Sequence, residues 1–114
     1  MRECFIEDVG HLYVIADGKY GSPWIKVGRS TRPAKRLVEY NSSFPEDRLE
    51  FAHLSCELYN LSECEAMLIA GLKDLRSVTF AEGRREWVKH RYSKSAMVAT
   101  VKGIIDTLEK TYAH

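Results

Sequence analysis

Residues 10–36 read GHLYVIADGKYGSPWIKVGRSTRPAKR, and this stretch decides the fold. His11 to Ala16 is a short β-branched and aromatic run, Asp17-Gly18 and Gly21-Ser22-Pro23 are turn formers, and Trp24 to Val27 is a second run of the first kind. Two such runs around a turn rich in Gly and Pro predict a β-hairpin. Beyond Gly28 the pattern changes. Ser30 or Thr31 can cap a helix, Pro33 is tolerated in a first helical turn, and Leu37 and Tyr40 then fall on one helical face.

Outward from this strand–strand–helix unit, Arg48 to Leu58 alternates Leu49 and Phe51 with polar positions after a Pro45-Glu46-Asp47 turn, which predicts a third strand. Asn60 and Ser62 are both plausible caps for a helix running to about Leu75, with Ala66, Leu68, Ile69 and Leu72 as its apolar stripe. Met97, Val98, Val101, Ile104, Ile105, Leu108 and Tyr112 recur at three- and four-residue steps and predict a C-terminal helix over about 95–112. Between these helices, the Arg-rich residues 82–92 read as a loop or short helix. The element order predicts an α/β (α+β) fold in which a small, mostly antiparallel three-stranded sheet is flanked by helices. With 114 residues, 45% of them hydrophobic and 29% charged, one domain spanning residues 1–114 is the expectation.

Composition excludes several function classes. There is no apolar run of the roughly 18 to 20 residues that a membrane span needs, and Met1-Arg2-Glu3-Cys4 lacks the basic-then-apolar pattern of a secretory signal. A cytoplasmic protein is expected. Cys4, Cys56 and Cys64 are odd in number and follow no metal-finger spacing, so Cys56 and Cys64 read as core or half-buried thiols. The net charge of +1 conceals segregation: residues 18–36 carry Lys19, Lys26, Arg29, Arg32, Lys35 and Arg36 with no acid. Residues 37–72 then hold seven acids against Arg48 alone, and a second basic run contains Arg84, Arg85, Lys89, Arg91 and Lys94. A small basic face of this kind attracts phosphates, whereas a solvated surface of uneven charge is the plain alternative.

The hairpin sequences L-Y-V-I and W-I-K-V-G-R-S resemble the paired motifs of the GIY-YIG nucleases, with His11-Leu12-Tyr13 at the first and Lys26-Val27-Gly28 at the second. The family has an arginine eight residues after the motif glycine, which here is Arg36, and a later E-x-x-L-I pattern, matched by Glu65-Ala66-Met67-Leu68-Ile69. The resemblance covers about residues 10–87. The K-V-G motif, the following G-R-S and the Glu86-Trp87 pair are most similar to a phage and fungal branch named for an uncharacterised phage reading frame and a meiotically up-regulated gene. This chain departs from the pattern at Ile69, where that branch often has histidine, and at Lys26, where well-studied members of the wider family have their second tyrosine.

The resemblance implies a metal-dependent DNA endonuclease or nickase in a bacterial or phage-infected cell. Tyr13, Arg36 and Glu65 would be catalytic, Glu65 would hold Mg²⁺ or Mn²⁺, and Lys26, Gly28, Arg29, Lys19, Arg32 and Lys35 would line the nucleic-acid path. These residue types suit phosphodiester hydrolysis, which needs charge neutralised on the phosphate oxygens and a water held in line. Arg36 can clamp the phosphate, Glu65 can hold a hard divalent ion, and the Tyr13 phenol can position or deprotonate the water.

Each role has a structural competitor. Tyr13 can be a packed strand aromatic, and Arg36 can be a surface residue pairing with Glu39 or Tyr40. Glu65 ends a Ser62-x-x-Glu65 capping box, while Asn60-x-x-Glu63 offers a second box that would leave Glu65 free. His11 is the histidine expected nearest the site. No helix-turn-helix, zinc finger or long basic arm is visible, so sequence specificity would come from loops, a homodimer or a partner protein. The rival readings are a non-catalytic nucleic-acid-binding module and a phage-type interaction domain that docks through the last helix and the Trp87 region.

Overall fold

Strands β1 (His11–Asp17) and β2 (Ile25–Ser30) form the hairpin anticipated from the sequence, and helix α1 (Pro33–Asn41) follows. The computed structural model describes residues 8–18, 21–43 and 48–114, with the backbone alone at 84 and 85. Lys19 and the Pro45-Glu46-Asp47 turn lie outside the described residues. The remaining elements are β3 (Leu49–Leu54), α2 (Leu61–Lys73), β4 (Val78–Ala81), β5 (Arg84–His90) and α3 (Lys94–Tyr112). Among the described residues, no helix is long and apolar enough to cross a membrane.

The α+β class holds, but the sheet has five strands, in the order β3-β1-β2-β5-β4, and every pairing is antiparallel. The two additional strands are β4, just before the segment read from sequence as a loop or short helix, and β5, within that segment. Their apolar pattern is thin, since Val78, Phe80 and Val88 face the core while the other positions are largely polar. Cross-strand pairing of Phe80 with Val88 fixes the register, and Gly83, at φ +72, supplies the left-handed turn residue beside a register shift at Phe80/Ala81.

Side-chain alternation along β1 sorts the core into two layers. Leu12, Val14 and Ala16 join Ile25 and Val27 against Leu68 and Leu72 of α2 and Met97, Val101 and Ile105 of α3. On the opposite face, Tyr13 and Ile15 pack with Leu49 and are partly covered by Leu37 and Tyr40 of α1 and by Phe51. The helix α3 stripe falls where its periodicity placed it: Met97, Val101, Ile105 and Leu108 are buried.

Helix starts differ from expectation. Neither Ser30 nor Thr31 caps α1; Arg32 is the boundary residue, and Ser30 Oγ instead accepts the Arg32 N–H at 2.9 Å. Helix α2 uses neither capping box. Asn60 sits in the left-handed region at φ 51 with no side-chain cap, while Asp8 accepts the Leu61 N–H through its carbonyl at 2.9 Å and the Ser62 N–H through Oδ2 at 2.8 Å. Ala66, placed in the apolar stripe from sequence, is exposed, and Leu61 and Cys64 complete the buried face instead. Cys56 is exposed rather than half-buried.

Candidate functional site

The β1–β2 register sets Tyr13 opposite Gly28 and Ile15 opposite Lys26, so the Tyr13 phenol lies across the place where a residue-28 side chain would stand. A Cβ at Gly28 would overlap the Tyr13 ring and hydroxyl, which is a direct reason for glycine in this motif. Tyr13 is 3% exposed, and its hydroxyl stands 3.0 Å from that of Tyr40, whose ring meets it edge-on. Burial pushes the Tyr13 phenol far above its ordinary pKa, the Tyr40 hydrogen bond and proximity add to this, Arg36 pulls the other way, and Glu86 raises it further. Tyr13 is therefore a neutral phenol in this arrangement.

Lys26, on the same face two residues before Gly28, is buried along its stem. Its Nζ donates to Glu86 Oε2 at 2.7 Å and lies 4.7 Å from the Tyr40 ring centroid and 5.4 Å from that of Trp87. The aliphatic stem stays among apolar groups while the ammonium reaches a carboxylate and two ring faces. Strands β2 and β5 pair at Ile25↔Val88 and Lys26↔Trp87. Beside this short ladder lies a cleft of about 840 Å³, lined by Lys26, Glu86 and Trp87 from the sheet and by Glu65, Ile69 and Lys73 among the residues of α2.

Glu65 faces this cleft because Asp8 satisfies the helix amides that a capping box would have used. The Glu65 Oε1 lies 3.6 Å from Arg29 Nε. Its carboxyl is raised above its ordinary pKa by burial; Arg29 lowers it, Glu86 raises it and Lys26 lowers it. Two carboxylates, Glu65 and Glu86, thus line the cleft with Lys26 and Lys73, and Arg29 stands beside Glu65. Among the described residues no group of three or more His, Cys, Asp or Glu side chains could hold a metal ion. A divalent ion here would be carried by Glu65, with Glu86 as the carboxylate whose charge Glu65 feels, and would keep most of its waters.

Arg36 belongs to a neighbouring hollow of about 180 Å³, shared with Ser30, Thr31, Arg32, Lys35 and Glu39. Its Nη1 is 3.8 Å from Glu39 Oε1, and the side chain is about half exposed, so it can turn toward a phosphate at little cost. Of the residues singled out from sequence, Glu65, Lys26 and Arg29 meet at the cleft, while Arg32, Lys35 and Arg36 gather at the start of α1. Tyr13 sits between, sensing both Arg36 and Glu86. Lys19 lies outside the described residues.

His11, the histidine expected nearest the site, spends Nδ1 on the Ser55 carbonyl oxygen at 2.9 Å. Sequence reading missed Tyr40 and Glu86 as members of the site. The sequence marks Tyr40 only as sharing a helical face with Leu37 and as an alternative partner of Arg36, and Glu86 only as part of a Glu86-Trp87 pair. That pair was the available signal.

A family model described as the T5orf172 domain matches residues 10–109. No curated protein matches the chain, and no solved structure does.

Proposed function

The chain belongs to the T5orf172 domain family, a phage-associated domain of the GIY-YIG-like nuclease clan, and from that premise we propose that it is a metal-dependent DNA endonuclease or nickase. The observation that carries this reading is the cleft in which half-buried Glu65 stands among Lys26, Arg29 and Glu86, with Arg36 in a second hollow at the start of α1.

Hydrolysis of a phosphodiester places negative charge on oxygens that are already anionic, so permanent cations held in position lower the barrier. Arg36 would clamp the scissile phosphate, its planar fork matching two oxygens at once. Arg29 and Lys26 would support the phosphate, with Gly28 leaving room for the Tyr13 phenol beside them, and Arg32, Lys35 and Lys19 would hold the flanking backbone. Glu65 would hold Mg²⁺ or Mn²⁺: its carboxyl is crowded by Glu86 and short of solvent, and a divalent cation relieves both conditions. Such an ion, when bound, polarises the phosphate and stabilises the leaving oxygen. Tyr13, held as a neutral phenol by burial and by Tyr40, would orient the attacking water rather than strip its proton.

A second reading, a DNA-binding module without turnover, is favoured by one specific observation. Arg29 already occupies Glu65, and Glu86 already occupies Lys26.

The two are separated by incubating the protein with supercoiled plasmid in Mg²⁺ or Mn²⁺ and in EDTA. Nicked circles that appear only with the metal are expected of the nuclease. Plasmid retarded on a gel but left supercoiled under both conditions would establish the binding module instead.

A further inference from the structure

Helix α1 packs on β1, β2 and β3, whereas β5 is covered by α3 on its other face. The α1 side of β5 carries a square of four side chains. Lys26 and Trp87 are cross-strand partners, and their side chains share that face. One step beyond the ladder, Trp24 lies by Lys89, whose Nζ stands 4.9 Å from the indole centroid. Trp24 and Lys26 are two residues apart, as are Trp87 and Lys89, so the alternation of a strand puts all four on one side. Both indoles are half-buried. Lys26 is already neutralised by Glu86, but Lys89 pairs with no carboxylate among the described residues.

We propose that Trp87 and Trp24, with Lys89, form a stacking platform for unpaired bases of single-stranded DNA, so that the strand entering the Glu65 cleft is locally unwound. The proposal rests on the nuclease reading above for its link to the cleft, since Trp87 lines both surfaces. Indole faces interleaved with a free ammonium match the alternation of base and phosphate along a single strand. An intact duplex is excluded because its bases are paired and stacked, with no face open to an indole. The two indoles sit diagonally across the β2–β5 pair, about 7–8 Å apart, against the 3.4 Å rise per nucleotide of a duplex strand. Only a strand whose bases have come apart can lay successive bases on both.

Trp24 and Trp87 are the chain's only two tryptophans, so intrinsic fluorescence reads the platform directly. A mixed-sequence single-stranded DNA oligonucleotide and its duplex are titrated in EDTA at one fixed salt concentration, where nothing is cut. Tryptophan quenching and the anisotropy of a labelled strand are followed together. Quenching by the single strand and tighter binding of it than of the duplex are expected. Trp87→Ala should weaken single-strand binding about 5- to 160-fold, the span of base–aromatic stacking. Duplex binding should fall less than single-strand binding, and Trp87→Phe should keep most of the affinity. Absent quenching, or equal affinity for the two DNA forms, overturns the proposal with wild-type protein alone. An equal loss for both forms in Trp87→Ala also overturns it. Failure of plasmid nicking would leave these binding results standing, and nicking without quenching would remove only the platform.

Discussion

Gly28 lacks a side chain because the Tyr13 phenol fills the space above it, and that single steric fact ties the two halves of the hairpin motif together. The order Tyr13, Gly28, Arg36, Glu65 was legible in the sequence because each position carries a fixed offset from the motif glycine or sits in a short pattern of its own. The protonation of Tyr13 was not legible. It depends on Tyr40, which reaches the phenol from another element, and on burial, which no local pattern records. Glu65 offers a test at this scale. Burial raises its carboxyl pKa in the folded chain above the unfolded value, so folding binds its proton more tightly. Its contribution to stability is therefore present in acid, below the unfolded carboxylate pKa, and is lost as pH rises through the folded value. At neutral pH the ionised group weakens the fold, and Glu65→Gln should raise the urea midpoint there. The gain should shrink toward zero as pH falls through the carboxylate range. A lowered midpoint at neutral pH, or a gain independent of pH, would contradict the burial argument.

Helix α2 presents Glu65 to the cleft only because its N-terminus is capped from outside. Two capping boxes overlap in the sequence, and local chemistry gives no reason to choose between them. The structure uses neither, since Asp8, 54 residues away, accepts the Ser62 N–H and also meets the Ser62 hydroxyl at 3.2 Å. A cap of such long range leaves no short motif to read. Asp8→Ala should cost about 1 kcal/mol in urea unfolding, the ordinary worth of an N-cap, whereas Asp8→Asn should cost little because its side-chain oxygen still accepts. Equal stability of Asp8→Ala and wild type would mean that the cap is not in use. The β4–β5 hairpin escaped sequence reading for a different reason. Only Val78, Phe80 and Val88 mark its core face, and the charges between them read equally well as a solvated loop. The last helix was legible because its apolar stripe persists for about three turns, through Met97, Val101, Ile105 and Leu108.

Across the whole molecule, the charge segregation seen along the chain becomes a spatial one. Arg32, Lys35 and Arg36 converge at the start of α1, and Arg29 lies next to the cleft. A footprint of about four phosphate contacts would give a modest salt slope, roughly −3 to −4 in log K against log salt. On the proposed reading such a footprint would give modest, salt-sensitive DNA affinity, so any cutting would come from the geometry of the cleft and not from affinity. The fold class was legible from three strands and three helices, but the sheet's width was not, and that width creates the second wall of the cleft at Glu86 and Trp87. The decisive measurement is single-turnover nicking of supercoiled plasmid with saturating Mg²⁺, comparing wild type with Arg36→Ala and Glu65→Gln while the DNA affinity of each is measured in parallel. If Arg36 holds the phosphate and Glu65 the metal, each folded variant should nick about a hundredfold more slowly or worse, with affinity changed far less. Wild-type nicking rates in both variants would contradict the assigned roles, however tightly the protein binds DNA.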